Sequence, residues 1–153
     1  MLSRFETFIY DITEIDLFWH RIANNEMKRY GLKGNYALYF TRLHSNPEGL
    51  TAAQLGTLCG KDKADVSRDL PVLEQAGLVE KRCIGGSSYR ARIFLTEQGR
   101  QLTEEIIRRA ETAVMCVGQD LSVPERNCFY RVLDAITENL RALSENGLPE
   151  NEE

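Results

Sequence analysis

The hydrophobic period of this sequence departs from the helical value in one segment, and that departure limits the possible folds more than any other feature. Over most of the 153 residues, apolar side chains recur at steps of three and four, which predicts helices with one buried face. Between residues 78 and 95 the pattern instead predicts two short strands joined by a Gly- and Ser-rich turn. We therefore expect a mainly α-helical protein with a single small β-hairpin.

Helix start and stop signals divide the helical part into six segments around this hairpin. Thr51 and Gln54 have the spacing of a capping box, and Gly60 and Gly77 fit the left-handed position that ends a helix. Asp62 is expected to cap a helix that runs to about residue 76. The predicted order is α-α-α-α-β-β-α-α, in which two short helices followed by a hairpin form a winged helix-turn-helix.

The charges of the chain are unevenly distributed around a net charge of −4. Residues 61–92 carry seven Lys/Arg against five Asp/Glu, whereas residues 96–153 carry six against twelve. A locally basic face on an acidic protein can still bind phosphate. The middle of the chain is therefore the candidate region for a nucleic-acid partner.

Targeting signals and cysteine spacing indicate the cellular compartment in which the protein is expected. The start of the chain has no secretory pattern, and no stretch approaches 18 uncharged apolar residues, so we expect a soluble cytoplasmic protein without a membrane segment. The four cysteines show no C-x-x-C spacing, which favours reduced thiols. Cys83 is the one cysteine with cationic neighbours, Lys81 and Arg82, which could make its thiol reactive. A redox switch at Cys83 is therefore the alternative interpretation.

Enzyme motifs are not found in the sequence. Its two histidines, His20 and His44, have no nucleophile motif nearby, and there is no Gly-rich phosphate loop or H-E-x-x-H sequence. His20 and Asp16, four residues apart, are only the beginning of a metal site. We expect neither catalysis nor a cofactor or metal.

Four motifs in the middle of the chain occur in the order and spacing of one family of regulators. They are LTAAQL at 50–55, VSR at 66–68, LEQAGLVEKR at 73–82 and LTEQG at 95–99. With the long helices on either side, the chain resembles the MarR (multiple-antibiotic-resistance regulator) family over nearly its whole length. The resemblance implies a transcriptional regulator, by default a repressor, that binds double-stranded DNA as a homodimer. Each subunit would place a recognition helix in the major groove and a wing on the adjacent minor groove.

The resemblance also implies how the chain is divided. We expect an N-terminal dimerisation helix over 1–30, a winged helix-turn-helix DNA-binding domain over 31–100, C-terminal dimerisation helices over 101–146 and a flexible acidic tail over 147–153. The apolar stripes of the terminal helices exceed what one small core needs, which indicates a partner surface. Its candidate residues are Phe5, Ile9, Ile12, Phe129, Leu133, Ile136, Leu140 and Leu143.

The candidate DNA contacts follow from the way a helix fits the major groove, with its N-terminal half reaching the base edges. Asp65 could accept from a cytosine amino group. Asp65 and Asp69 would lie beside phosphates, so we expect each to pair with a cation such as Lys61 or Arg68. The full candidate set is Thr51, Lys61, Lys63, Ala64, Asp65, Ser67, Arg68, Ser88, Arg90 and Arg92.

Two positions depart from the family pattern. Many members carry an acid–x–arginine motif near the wing tip, where this chain has Ser87 and Tyr89, with Arg90 one residue later. A shift of one residue turns a side chain to the other face of a strand, so Arg90 is expected on backbone phosphate and not in the minor groove. Pro71 removes one backbone hydrogen bond from the recognition helix, which predicts either a kink near Ser67 or a shorter helix.

Two further expectations concern partners. The resemblance implies a small aromatic or lipophilic effector, bound where the first, second and fifth helices meet the DNA-binding lobe. The candidate wall of that pocket is Trp19, Tyr36, Tyr39, His44 and Met115. The alternative function, favoured by the acidic net charge and the altered wing, is a winged-helix protein-interaction module without DNA binding.

Overall fold

The computed structural model describes residues 3–83 and 91–149, apart from the side chain of Phe5. In this part of the chain, eight elements follow the predicted order, which confirms the mainly helical fold with one hairpin. The elements are α1 Arg4–Lys28, α2 Tyr36–His44, α3 Ala52–Cys59, α4 Lys63–Gln75, β1 Val79–Cys83, β2 Ala91–Leu95, α5 Glu97–Val117 and α6 Val123–Asn146.

The chain forms two compact units, Met1–Ala110 and Glu111–Glu153. The first unit contains the hydrophobic core, into which α2, α3 and α4 each direct one face while the hairpin covers another side. The core side chains are Met27, Tyr36, Tyr39, Phe40, Leu43, Leu50, Leu55, Cys59, Val66, Leu70, Leu73, Leu78, Val79, Ile93, Leu95 and Ile106.

The hairpin is tied to the helical part by its second strand. β1 and β2 are antiparallel, in a register that runs from Val79↔Leu95 to Cys83↔Ala91. Leu50, just before α3, adds an isolated bridge, because its amide and carbonyl exchange hydrogen bonds of 3.1 and 2.8 Å with Ile93. The turn predicted over 84–88 lies outside the described residues.

The LTEQG motif joins the hairpin to α5. The Thr96 amide donates to the Leu78 carbonyl at 3.1 Å, and its hydroxyl donates to the Gly77 carbonyl at 2.6 Å. The same hydroxyl accepts from the Gly99 amide at 3.0 Å and so caps α5. A Cβ at Gly99 would lie 1.9 Å from the Leu78 carbonyl oxygen, so only glycine permits this approach of α5 to the strand.

Pro71 lies inside α4 without ending it. The helix is continuous from Lys63 to Gln75, so the shorter helix that Pro71 made possible is ruled out. The proline cannot donate to the Ser67 carbonyl, four residues earlier. Because Ser67 and Pro71 are exposed, water can satisfy that carbonyl and reduce the cost.

The second unit contains the end of α5 and the whole of α6. Ser122 and Glu125 form a capping box, and Pro124 occupies the first turn of α6. None of the described side chains of α6 is buried. Over residues 3–83 and 91–149, no helix combines the length and the apolar character that a membrane crossing requires.

Candidate nucleic-acid interface

The helix-turn-helix consists of α3 and α4, joined by a tight turn at Gly60. Gly60 has a φ of 61°, the left-handed value that ends α3 as predicted. Asp62 then caps α4, since its Oδ1 accepts from the Asp65 amide at 2.7 Å. A Cβ at Gly56 would lie 3.0 Å from the Lys61 carbonyl oxygen and 3.2 Å from a Val66 methyl, so this small residue allows the two helices to pack closely.

One side of α4 is fixed in the core and the other is open. Val66, Asp69, Leu70 and Leu73 are buried. The candidate DNA contacts Lys63, Ala64, Ser67 and Arg68 are exposed, whereas Lys61, Asp65 and Thr51 are half-buried at the edge. The helix therefore presents the polar leading end that the sequence predicted, with two exposed cations.

Arg68 is an exposed candidate cation that forms an ion pair. Its side chain is 73% exposed, and its Nη2 donates to Asp65 Oδ1 at 2.5 Å. That hydrogen bond, with the nearby Asp65 charge, raises the pKa of the Arg68 guanidinium. An ion pair this exposed contributes little to stability, so Arg68 can exchange Asp65 for another anion at low cost.

The prediction that Asp65 and Asp69 both pair with cations is confirmed for Asp65 only. Asp69 is buried and accepts from the hydroxyls of Tyr36 and Tyr39, at 3.2 and 3.1 Å. The prediction was wrong for Asp69 because helical spacing turns it away from Arg68 and toward α2. Sequence spacing could not show that two tyrosine hydroxyls would meet it there.

The hairpin carries two arginines on one face. Arg82 and Arg92 are directly opposite in the register, so alternation places them on the side away from buried Ile93 and Leu95. Arg92 is half-buried, and its Nη1 donates to the carbonyls of Glu48 and Gly49, at 3.3 and 2.9 Å.

Arg82 was not among the candidate residues. It lies over the Phe94 ring at 4.8 Å, pairs with Glu80, and its side chain is 55% exposed. The predicted hairpin included Arg82, but the observed register, which places it opposite Arg92, is what identifies it. The candidates Ser88 and Arg90, like Ser87 and Tyr89, lie outside the described residues.

An open groove of about 480 Å³ runs beside the helix-turn-helix. Its lining is mainly apolar and comes from the loop before α3, the outer face of α3 and the second strand. The lining residues are Asn46, Glu48, Gly49, Leu50, Ala53, Gln54, Thr57, Leu58 and Arg92. Gly49 has a φ of 76°, and a Cβ there would lie 2.6 Å from the Phe94 ring. Glycine is therefore required at this position in the wall of the groove.

The candidate effector residues differ in their surroundings. Tyr36 and Tyr39 lie together in the core, with ring centroids 6.1 Å apart and stacked. Trp19 and His44 are exposed in the first unit, and Met115 is exposed in the second. A cavity of about 260 Å³ in the first unit has a different lining: Tyr30, Leu32, Ala76, Leu78, Gln98 and Leu102.

The candidate dimer residues are exposed on the long helices, with one half-buried. Ile136 is half-buried, and the Phe5 side chain is outside the described part of the chain. The others are 39–49% exposed: Ile9, Ile12, Phe129, Leu133, Leu140 and Leu143.

Metal chemistry has no obvious site in this surface. Among residues 3–83 and 91–149, no three His, Cys, Asp or Glu side chains are grouped so that they could hold a metal ion. His20 contacts Asp16 at 3.1 Å, as an exposed pair on α1. The open side of α4 carries the cations Lys63 and Arg68 and the Ser67 hydroxyl beside the carboxylates of Asp62 and Asp65.

Comparison with known proteins gives matches at the level of structure. No family model and no curated protein matches the sequence. The transcriptional regulator SlyA is 24% identical, with 87% of this chain and 93% of that chain covered and a TM-score of 0.78. A MarR transcriptional regulator from Methanosarcina mazei Go1 is 19% identical over 94% of each chain, with a TM-score of 0.81.

A third similar structure was solved with DNA. MepR of S. aureus, in its DNA complex, is 19% identical, with 90% of this chain and 99% of that chain covered and a TM-score of 0.76. These identities are low, so the likeness establishes architecture and not activity. The chain has the winged-helix fold of these transcriptional regulators.

Proposed function

We propose that this chain is a cytoplasmic transcriptional regulator of the MarR type, which binds a specific double-stranded DNA as a homodimer and represses transcription. The observation that carries the proposal is the outward face of α4. Lys63, Ser67 and Arg68 are exposed on a helix whose opposite face is fixed in the core. A helix presented in this way fits the major groove.

The wing supports the same partner. Arg82 and Arg92 form a cationic face on the hairpin, next to the helix-turn-helix in sequence and tied to it by the Leu50–Ile93 bridge. Arginines on such a face suit contacts to backbone phosphate, which position a protein on DNA without reading its sequence. MepR, a protein of similar structure, was solved bound to DNA.

The homodimer rests on the exposed apolar faces of α1 and α6. Soluble monomers rarely expose large contiguous apolar surfaces, and a two-fold pair of chains would cover them. Two copies would place two recognition helices on half-sites about one helical turn apart, which predicts a near-palindromic operator.

The effector remains part of the proposal. A small aromatic or lipophilic molecule would alter the spacing of the two recognition helices and release the operator; within the first unit, its candidate contacts are Trp19, Tyr36, Tyr39 and His44. Titration of a preformed protein–DNA complex with small aromatic acids, followed by fluorescence anisotropy, tests this step. Anisotropy that stays constant up to millimolar acid would contradict it for that class of ligand.

The central experiment is an anisotropy titration with duplexes from the region upstream of the protein's own gene. We expect tight binding to one near-palindromic duplex and a steep loss of affinity as salt rises. Arg68→Ala should weaken binding about 10- to 100-fold, because a groove contact of arginine is lost. Asp65→Asn should strengthen binding to unrelated duplexes, because it frees Arg68 and removes a negative charge that faces phosphate.

Arg141→Ala is the matched control. Arg141 has an equivalent exposed pair with Glu138, three residues away at 2.5 Å, on a helix outside the helix-turn-helix. Its removal should leave DNA affinity unchanged. If the wild type and all three variants bound every duplex equally weakly, the protein-interaction module would become the better assignment.

A further inference from the structure

Asp69 is a buried carboxylate in the middle of the recognition helix, and the proposed DNA contacts do not use it. It is 7% exposed and directly follows Arg68 in sequence. The ion pairs found in the described part of the chain do not include it. A charge taken out of water without a cation is costly unless strong hydrogen bonds replace its hydration.

Two tyrosine hydroxyls supply those hydrogen bonds, one to each carboxylate oxygen. Tyr36 donates to Oδ1 at 3.2 Å and Tyr39 donates to Oδ2 at 3.1 Å. Burial raises the pKa of both phenols, so the hydroxyls keep their protons and remain donors. Hydrogen bonds to an ionised acceptor are stronger than those between neutral groups.

The tyrosines hold a fixed position of their own. They are three residues apart on α2, 2% and 0% exposed, and their rings stack with an interplanar angle of 24°. Neighbouring Phe40 and Leu43 anchor α2 in the core. The two donors therefore cannot follow Asp69 if α4 turns or slides.

The geometry distinguishes this contact from the apolar packing around it. Leu70 and Leu73 also join α4 to the core, but apolar contacts tolerate small rotations because they have no preferred direction. A carboxylate held at both oxygens narrows the range of rotations open to the helix, because hydrogen bonds weaken as their angles depart from linear. Arg68 is attached to the same backbone one residue away, so its direction depends on that rotation.

We propose that Asp69 is a positioning residue, and that Asp69, Tyr36 and Tyr39 form a clamp that fixes the rotation of α4 and thereby aims Arg68 and Lys63 at DNA. The inference deepens the proposed function and rests on it. The clamp is a specific feature of the α2–α4 contact, since an apolar side chain at position 69 would bury equally well without fixing the rotation.

The test replaces the whole clamp with apolar groups of similar shape, in the triple variant Tyr36→Phe/Tyr39→Phe/Asp69→Leu. Such a replacement of a buried polar cluster leaves stability unchanged or raises it, because no group is left unpaired. Operator affinity measured by anisotropy should nevertheless fall about tenfold, because the side chains that contact DNA lose their fixed direction. The midpoint of thermal unfolding, measured on the same samples, shows whether a loss of affinity comes from lower stability or from a changed direction of the side chains that contact DNA.

The conservative variant Asp69→Asn is the rescue control. Its amide oxygen accepts from one tyrosine and its amide nitrogen donates to the hydroxyl oxygen of the other, so the clamp can re-form without charge. We expect affinity within about threefold of wild type, well above that of the triple variant. If the triple variant does not fold, the double variant Tyr39→Phe/Asp69→Asn, which keeps the Tyr36 hydroxyl as a hydrogen-bond partner for the new amide, gives the comparison with Asp69→Asn.

Amide hydrogen exchange over residues 63–75 distinguishes a failure of this inference from a failure of the proposed function. The clamp predicts faster exchange in α4 of the triple variant and protection close to wild type in Asp69→Asn. A wild type that binds no DNA would refute the proposed function, while faster exchange would still support the clamp. Equal exchange and equal operator affinity in the wild type and the triple variant would overturn the clamp.

Discussion

The short helices in the middle of the chain and the long helices at its ends share the same apolar periodicity. They differ in how many of their apolar side chains are buried. α2 buries Tyr36, Tyr39, Phe40 and Leu43 over nine residues. α6 extends over 24 residues and buries none of its described side chains. Over α1, apart from the side chain of Phe5, only Met27 near the C-terminal end is buried.

An apolar stripe therefore predicts a helix but not what covers its apolar face. Nine large apolar or aromatic side chains on α1 are 38–62% exposed: Phe8, Ile9, Tyr10, Ile12, Ile15, Leu17, Phe18, Trp19 and Ile22. Within one copy, the middle of the chain buries its apolar side chains in the core, whereas the long helices at the ends leave theirs exposed. That contrast supports the proposed homodimer, and three experiments test it.

The largest effect is expected from a charge on the open face of α6. Leu133→Glu places a carboxylate where the proposed partner would cover an apolar side chain, so the dimer should dissociate. Operator affinity should then fall roughly 100-fold or more, because the two half-sites are no longer bound together. Sedimentation equilibrium measures the mass and anisotropy measures the affinity.

Asn127→Glu is the control for that experiment, because helical spacing places Asn127 on the side of α6 opposite the candidate dimer residues. It adds the same charge to the same helix at an exposed polar position. It should leave both mass and affinity close to wild type. A Leu133→Glu protein that remained dimeric would show that this face of α6 is not the interface.

The next largest effect should separate the buried and open faces of a single short helix. Leu55 and Leu58 both lie on α3, at 0% and 42% exposure. Leu55→Ala should lower the free energy of unfolding by about 2–5 kcal/mol, because it leaves a cavity in the core. Leu58→Ala should cost about 1 kcal/mol or less, since water already reaches the site. Urea unfolding compares the two, and equal losses would contradict the core described here.

The smallest effect concerns the anchored end of α1. Arg109 on α5 donates to both carboxylate oxygens of Glu26, at 2.8 and 2.9 Å, and Arg29 adds a bond of 3.2 Å. The Arg109 hydrogen bond is the main cause that lowers the pKa of Glu26 from 4.5 to about 2, although burial opposes it. A lowered carboxyl pKa stabilises the folded chain above pH 4.5, and this stabilisation is lost as the pH falls toward 2.

Glu26→Gln tests that dependence. The variant should be less stable than wild type at pH 7, and the difference should shrink as the pH falls from 4.5 toward 2. Thermal unfolding at several pH values measures the difference between the two proteins. A difference that stayed constant over this interval would mean that the charge of Glu26 does not fasten α1 to α5.

Much of the fold followed from local patterns. The order of elements, the Thr51 and Ser122 capping boxes and the ends at Gly60 and Gly77 are encoded in a few consecutive residues each, so they could be predicted without tertiary information. The exposure of Lys63 and Arg68 followed from helical spacing. The departure of the wing from the family pattern falls on residues outside the described part and stays a prediction.

The parts of the site that were missed depend on contacts between distant residues. Arg82 became a candidate only when the hairpin register placed it opposite Arg92. Asp69 was expected near a cation, and its actual partners lie 30 and 33 residues away on α2. The continuity of α4 through Pro71 was open in the sequence, because the surroundings of the Ser67 carbonyl decide whether that break is tolerated.

By itself, the sequence determined the secondary structure, its order and which helix faces are apolar, because hydrogen bonding and periodicity act over a few residues. Only the tertiary structure decided which polar groups meet, as at Tyr36, Tyr39 and Asp69, and which apolar faces stay open on α1 and α6. The physical reason is that burial and hydrogen-bond direction depend on the relative placement of whole helices, which no local pattern records.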